Sequence, residues 1–315
     1  MKKHSLHFFK PQHYNFSILK KIIDIIKNKF KNRLAWLKTK FKILKIKGSV
    51  LLKNEKGIYE FKEFTWDMVR ALPKAYYYKS KNINFSIFIK PNLESIYYFT
   101  NKAISKDIFD IDDDNKTYEF NGPDFIKKQW LPPPLKEEFK GYLKFNKPVI
   151  TIQNKYSLEF SGEGVFNFFS LEFLDKFFNE FKDKYQIIYI RPKPDQKNYY
   201  QDKNEILNFK DYELIKDKHC EVKTIYDFEY LEENFNILQF KIHSSSDKHL
   251  SVSGGNACLA AYFGGELIIY DSPKGKGAGR GIWKTDSWLS KISNSKIKGF
   301  NSFDEILNYT RRKWL

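Results

Sequence analysis

The chain has 315 residues, 42% hydrophobic and 18% aromatic, which is enough apolar material for one large or two ordinary domains and excludes general disorder. Its formal net charge is +17, but residues 1–48 hold 14 Lys/Arg against one acid, Asp24, so the remainder carries only +4. A nucleic-acid groove would more often place its charge on the folded body, so nucleic acid ranks last among the partners considered.

Two cysteines, Cys220 and Cys258, stand far apart and form no CxxC and no zinc spacing, which fits a reducing compartment. Met1 to Pro11 is basic and broken by His and Pro, unlike a signal peptide. No apolar run reaches the roughly 18–20 residues that a spanning helix needs. The expected location is cytoplasmic.

Taken in chain order, residues 17–47 place apolar side chains at gaps of three and four, with Lys and Arg elsewhere. This pattern predicts a basic amphipathic helix with Ser17 as N-cap and Gly48 as stop. Such a helix, with Phe30 and Trp36 near its apolar stripe, suits the anionic inner face of a membrane. Packing of the stripe on its own domain is the alternative.

Between residues 49 and 130 the stretches SVLLK, KAYYYK, INFSIFIK and SIYYFT read as short strands divided by turns. Residues 131–148, LPPPLKEEFKGYLKFNKP, read as a linker. The expected organisation is therefore a basic segment at 1–48, an N-terminal acceptor-side domain at 49–147 and a nucleotide-binding domain at 148–315.

Beyond the linker, PVITIQ, QIIYIRP, HLSVSGG and ELIIY read as strands. SLEFLDKFFNEFKDKY, LEENFNILQFKIHSSSD and NACLAAYFG read as helices. Strands alternating with helices predict a parallel sheet covered on both faces, and such sheets bind ligands beyond the carboxyl ends of their strands. Three loops would meet there: Asn154-Lys155-Tyr156 with Glu159 and Glu163 beyond, Arg191-Pro192-Lys193-Pro194-Asp195, and Ser253-Gly254-Gly255-Asn256. Cations, amides and a glycine turn at a helix start suit a diphosphate. Glu159 and Glu163 could instead bind sugar hydroxyls. The flexible basic stretch KGKGAGRG, 274–281, reads equally as a phosphate lid or a plain loop.

Residues 244–270, SSSDKHLSVSGGNACLAAYFGGELIIY, resemble the C-terminal donor domain of GT-B glycosyltransferases of the heptosyltransferase and fucosyltransferase type. Asp247 takes the place of the acid before the strand. Ser253-Gly254-Gly255 take the place of the phosphate turn, Leu259-Ala260-Ala261 match its helix, and Gly264-Gly265 match the helix end. The resemblance covers roughly residues 148–290 and hardly touches 1–147. It implies an α/β protein with two Rossmann-like domains, a nucleotide-sugar donor held by the C-terminal domain, a glycan or lipid-linked saccharide acceptor, and no metal or other cofactor. It also implies a base from the N-terminal half, for which Glu94 and Asp124 are the candidates.

Asp110-Ile111-Asp112 is a DxD and keeps open a metal-dependent GT-A alternative, although a solvated acidic turn accounts for it as well. A non-enzymatic basic protein that binds membrane or nucleic acid is the alternative from another class. His219, His243 and His249 show no metal-ligand spacing.

Overall fold

The run Val149–Gln153 carries three β-branched apolar residues and two polar ones, and every side chain in it is buried. Such a strand needs cover on both faces. In the computed structural model it lies at the centre of a sheet. The structure describes residues 56–59, 64–89, 91–101, 103–105, 130–158, 164–199, 205–274, 289–290, 293 and 295–315. The expected helix at 17–47, the strand SVLLK, Asp110, Asp112, Asp124, Glu159, Glu163 and residues 275–281 lie outside them.

A three-stranded parallel sheet comes first, in the order β1 (Lys56–Tyr59), β2 (Phe85–Ile89), β3 (Ala103–Ser105). Between β1 and β2 runs a helix in three parts: α1 (Phe64–Trp66), a π turn (Asp67–Ala71) and α2 (Leu72–Ser80). The stretch KAYYYK is therefore helical and not a strand. Pro73 follows the π turn without a break and offers no N–H to Val69 O four residues back, and Leu72, Ala75 and Tyr78 turn one buried face inward. Burial of that face overrides the β propensity of the tyrosines. SIYYFT likewise departs from a strand, since Glu94–Tyr97 form a 3₁₀ turn.

The expected linker contains α3 (Leu135–Phe139), whose Leu135 and Phe139 are buried with residues of both sheets' surroundings. Trp130 ties the start of this stretch to the π turn, its Nε1 donating to Val69 O at 2.9 Å.

The second sheet holds β4 (Val149–Gln153), β5 (Gln186–Ile190), β6 (Lys223–Thr224), β7 (Lys248–Val252), β8 (Gly265–Tyr270) and β9 (Ser295–Phe300). Every pairing is parallel, in the order β6-β5-β4-β7-β8-β9. The helices are α4 (Leu171–Phe181), α5 (Asp211–Lys218), α6 (Phe235–Ser244), α7 (Gly255–Ala260) and α8 (Phe303–Trp314).

Alternate residues along each strand enter opposite cores. Ile150, Ile152, Ile187, Tyr189, Leu250, Val252 and Ile268 pack against α4, α5 and α8. Val149, Ile188 and Ile190 pack against α6, and Leu267 and Ile269 join the core shared with α1, α2 and α7. Helix α4 contributes five buried large side chains, each worth roughly 1.5–3 kcal/mol on burial. The fold is thus α/β with helices on both faces of a parallel sheet.

Candidate functional site at the carboxyl edge of the sheet

Strand order reverses beside β4: the chain moves outward through β5 and β6, then returns to β7 on the other side of β4. The crevice above β4 and β7 is the topological switch point, where open α/β sheets hold ligands. The segments that follow these two strands are Asn154-Lys155-Tyr156 and Ser253-Gly254-Gly255-Asn256.

Gly254 adopts φ +137°, ψ −166°, a conformation that is essentially glycine-only. A Cβ built on it would lie 4.0 Å from Lys155 Nζ, so the lysine from β4 meets the turn from β7. Asn167 closes the arrangement from the side: its Nδ2 donates to Ser253 O and to Ser253 Oγ, both at 2.7 Å. Ser253 N donates to Tyr270 O at 2.8 Å. Asn256, in the first turn of α7, is buried.

Gly255 is glycine for a different reason. A Cβ there would stand 2.4 Å from Phe64 Cδ1 and 2.9 Å from the Thr65 amide nitrogen. The start of α1 therefore presses directly on the start of α7, and Gly255 is a packing residue at the junction of the two sheets' helices.

Asn154 and Arg191 are placed differently from the expectation. The Asn154 side chain is buried; its Oδ1 accepts from Lys155 N and Phe169 N, each at 2.9 Å, and its Nδ2 donates to Phe169 O at 3.2 Å and Tyr189 OH at 2.8 Å. Tyr189 OH donates onward to Asp211 Oδ2 at 2.5 Å. Arg191, only 2% exposed, donates through Nε and Nη2 to both oxygens of Asp211, the latter at 2.7 Å, and through Nη1 to Pro192 O at 3.1 Å. Burial works against the guanidinium charge, but the hydrogen bonds and charge of Asp211 outweigh it and raise the pKa. Asn154 and Arg191 thus form a buried network that fixes the loops after β4 and β5 from beneath. Their polar atoms are used inside the protein rather than offered to an anion.

Lys193 reaches the surface. Its ammonium lies 3.7 Å from the centre of the Tyr226 ring, and its backbone N–H donates to Tyr226 OH at 3.0 Å. Tyr156 stacks on Phe209, with centroids 4.4 Å apart and planes at 16°, and Phe168 stands edge-on to both.

Glu94 is exposed at the start of its 3₁₀ turn. The residues on either side of it are bound to α6, because Asn236 Nδ2 donates to Asn92 O at 2.9 Å and to Ser95 Oγ at 3.3 Å. A more deeply placed acid escaped the sequence reading. Among the described residues two carboxylates are fully buried, Asp211, which pairs with Arg191, and Asp67. Asp67 opens the π turn directly after the α1 residues that press on Gly255. Its signal in the sequence is one acid inside the largely apolar stretch FTWDMV, ahead of Leu-Pro. Among the described residues no group of three or more His, Cys, Asp or Glu is placed to hold a metal.

No protein-family model and no curated protein matches the sequence. Among solved structures, the chain is similar to the glycosyl transferase family 9 protein from Veillonella parvula DSM 2008, at 5% identity and a TM-score of 0.46, over 82% of this chain and 89% of that one. It is also similar to the UDP-GlcNAc 2-epimerase from Neisseria meningitidis bound to UDP-GlcNAc, at 16% identity and a TM-score of 0.32, over 56% of this chain and 38% of that one. No helix of the described residues is long and apolar enough to cross a membrane.

Proposed function

We propose that the chain is a glycosyltransferase that takes a nucleotide-sugar donor at the crevice above β4 and β7 and passes the sugar to a glycan or lipid-linked saccharide. The observation that carries this reading is the switch point itself, with Lys155 brought against the Gly254 turn. In the proposal the diphosphate lies along Ser253-Gly254, where the absence of a side chain lets an anion approach the backbone, and Lys155 compensates its charge. A carboxylate from the N-terminal half, Glu94 or Asp124 in this reading, takes the acceptor hydroxyl proton as the acceptor oxygen bonds to the anomeric carbon. The bond from that carbon to the phosphate oxygen breaks, and nucleoside diphosphate leaves. Charge compensation by Lys155 makes the transfer metal-independent in this reading. Residues 17–47 hold the enzyme at an anionic membrane face.

Melting curves with UDP, GDP, ADP, CMP and TDP test the donor site. At a hundredfold excess over Kd a bound nucleotide stabilises by about 2.7 kcal/mol, and Lys155→Ala is expected to remove most of the shift. No shift with any of the five overturns the reading. With an active donor in hand, Glu94→Gln or Asp124→Asn is expected to abolish turnover while nucleotide still binds, and EDTA to change neither turnover nor binding.

A further inference from the structure

Tyr156, Phe168 and Phe209 reach one place from three separate segments: the loop after β4, the approach to α4 and the approach to α5. All three rings are half-buried, so each keeps part of its surface in water. Phe209 leans on the core beneath α4 and α5, whereas Tyr156 and Phe168 belong to none of the three buried apolar clusters. Core packing therefore does not account for two of the three rings.

The backbone that carries them is pinned. Ser157 and Ile206 form an antiparallel bridge. Leu207 N donates to Tyr156 O at 2.8 Å, and Leu158 N donates to Glu205 O at 3.2 Å. Phe168 follows Asn167, which is tied to Ser253, and Tyr156 follows Lys155, whose ammonium meets Gly254. The segments that carry Tyr156 and Phe168 thus adjoin the cation and the glycine turn on the same edge of the sheet. Rings already held in place lose little freedom when a flat ligand settles on them.

We infer that Tyr156, Phe168 and Phe209 form a stacking platform for the nucleobase of a nucleotide whose diphosphate reaches Lys155 and Gly254. The inference rests on the donor-site reading above and adds to it which part of the ligand supplies affinity. An aromatic platform accepts any base through its π face, so it contributes affinity without choosing among bases by hydrogen bonds.

Calorimetry with inorganic pyrophosphate, ADP, GDP and UDP as probes separates the parts. In the unaltered protein the nucleoside diphosphates are expected to bind about tenfold or more tighter than pyrophosphate, the scale of one stacked base. Tyr156→Ala removes that advantage and leaves pyrophosphate binding unchanged, whereas Tyr156→Phe keeps it. Saturation-transfer NMR on the unaltered protein shows base protons nearer the protein than ribose protons. This last measurement needs no variant, so it decides even where Tyr156→Ala fails to fold. Equal affinity for pyrophosphate and nucleotides, or full nucleotide affinity in folded Tyr156→Ala, overturns the platform while leaving the diphosphate site standing. Binding of none of the four probes overturns both.

Discussion

The hydroxyl of Tyr262, in the turn that ends the α7 run, donates to the main-chain oxygen of Met68 in the π turn. Together with the pressure of Phe64 on Gly255, this gives the two helical runs two points of attachment, one at each end of the short α7. Both partners are well removed from water: Met68 is buried, and burial pushes the Tyr262 phenol well above its usual pKa. Tyr262→Phe removes this buried hydrogen bond and is expected to cost about 0.5–1.5 kcal/mol. Urea denaturation checks it, and an unchanged midpoint would show that the bond contributes nothing net.

The Arg191–Asp211 pair makes a second prediction. Arg191→Ala leaves a carboxylate buried beside Tyr189 with no cation. Breaking such a pair by removing one partner costs about 3–5 kcal/mol, so this variant is expected to report on stability before it reports on any ligand. The paired change Arg191→Met, Asp211→Leu should recover much of the loss. A melt of Arg191→Ala that matches the parent contradicts the buried-pair account.

The two adjacent glycines should fail for different reasons. Gly255→Ala drives a methyl into Phe64, and overpacking of this kind costs roughly 1–3 kcal/mol. Gly254→Ala has room but holds a non-glycine residue at φ +137°, a backbone cost of order 1–3 kcal/mol. Measured against a Phe64→Ala background, the penalty of Gly255→Ala should shrink and that of Gly254→Ala should not. Equal penalties in both backgrounds would show that Phe64 is not the obstacle.

His243 and His249 give the fold an acid limit. Both are fully buried and share Thr151 Oγ1, at 3.1 and 2.7 Å from their Nδ1 atoms. Burial lowers His243 from the ordinary 6.5 to about 3. It lowers His249 as well, with the charges of His243 and Lys136 adding to the effect. A depressed histidine is neutral when folded and takes its proton more readily when unfolded. The contribution of His243 is therefore whole above pH 6.5 and is lost progressively as pH falls toward 3, with a slope approaching about 1.4 kcal/mol per pH unit, and His249 adds to the fall in the same direction. The urea midpoint followed from pH 7 to 4 checks this, and His243→Gln should flatten the fall.

Much of the C-terminal half can be read directly from residue order. In Ile187–Ile190 and Leu267–Tyr270 every side chain is buried, and a run of β-branched residues between turn signals has few other destinations. The Ser253-Gly254-Gly255 turn was equally legible, because two glycines after an apolar run mark a backbone turn.

What residue order hides is partnership. Arg191 reads as a surface cation until Asp211, 20 residues on, is seen to take it inward. Gly255 reads as a turn residue until Phe64, from the other half of the chain, is found against it. Asp67 draws no reading at all, because its full burial is set by neighbours distant in the chain. Each of these depends on tertiary neighbours that no local pattern encodes. The tyrosines of KAYYYK show the opposite failure, where a strong local preference gives way to an inward-facing helical side.

The position of β4 bears on how the chain emerges during synthesis. Its two neighbours are β5, some 35 residues later, and β7, almost a hundred residues later. A nascent chain extending to residue 224 can assemble β4, β5 and β6 but leaves the other edge of Val149–Gln153 bare. An unpaired, apolar strand edge invites pairing with another chain. Fragments ending before Lys248 are therefore expected to aggregate or to be retained by chaperones, whereas those extending through Phe300, which also pair β8 with β9, should become soluble. Pelleting of ribosome-released fragments of graded length would reveal the threshold, and a uniform solubility across that series would show that the exposed edge is harmless.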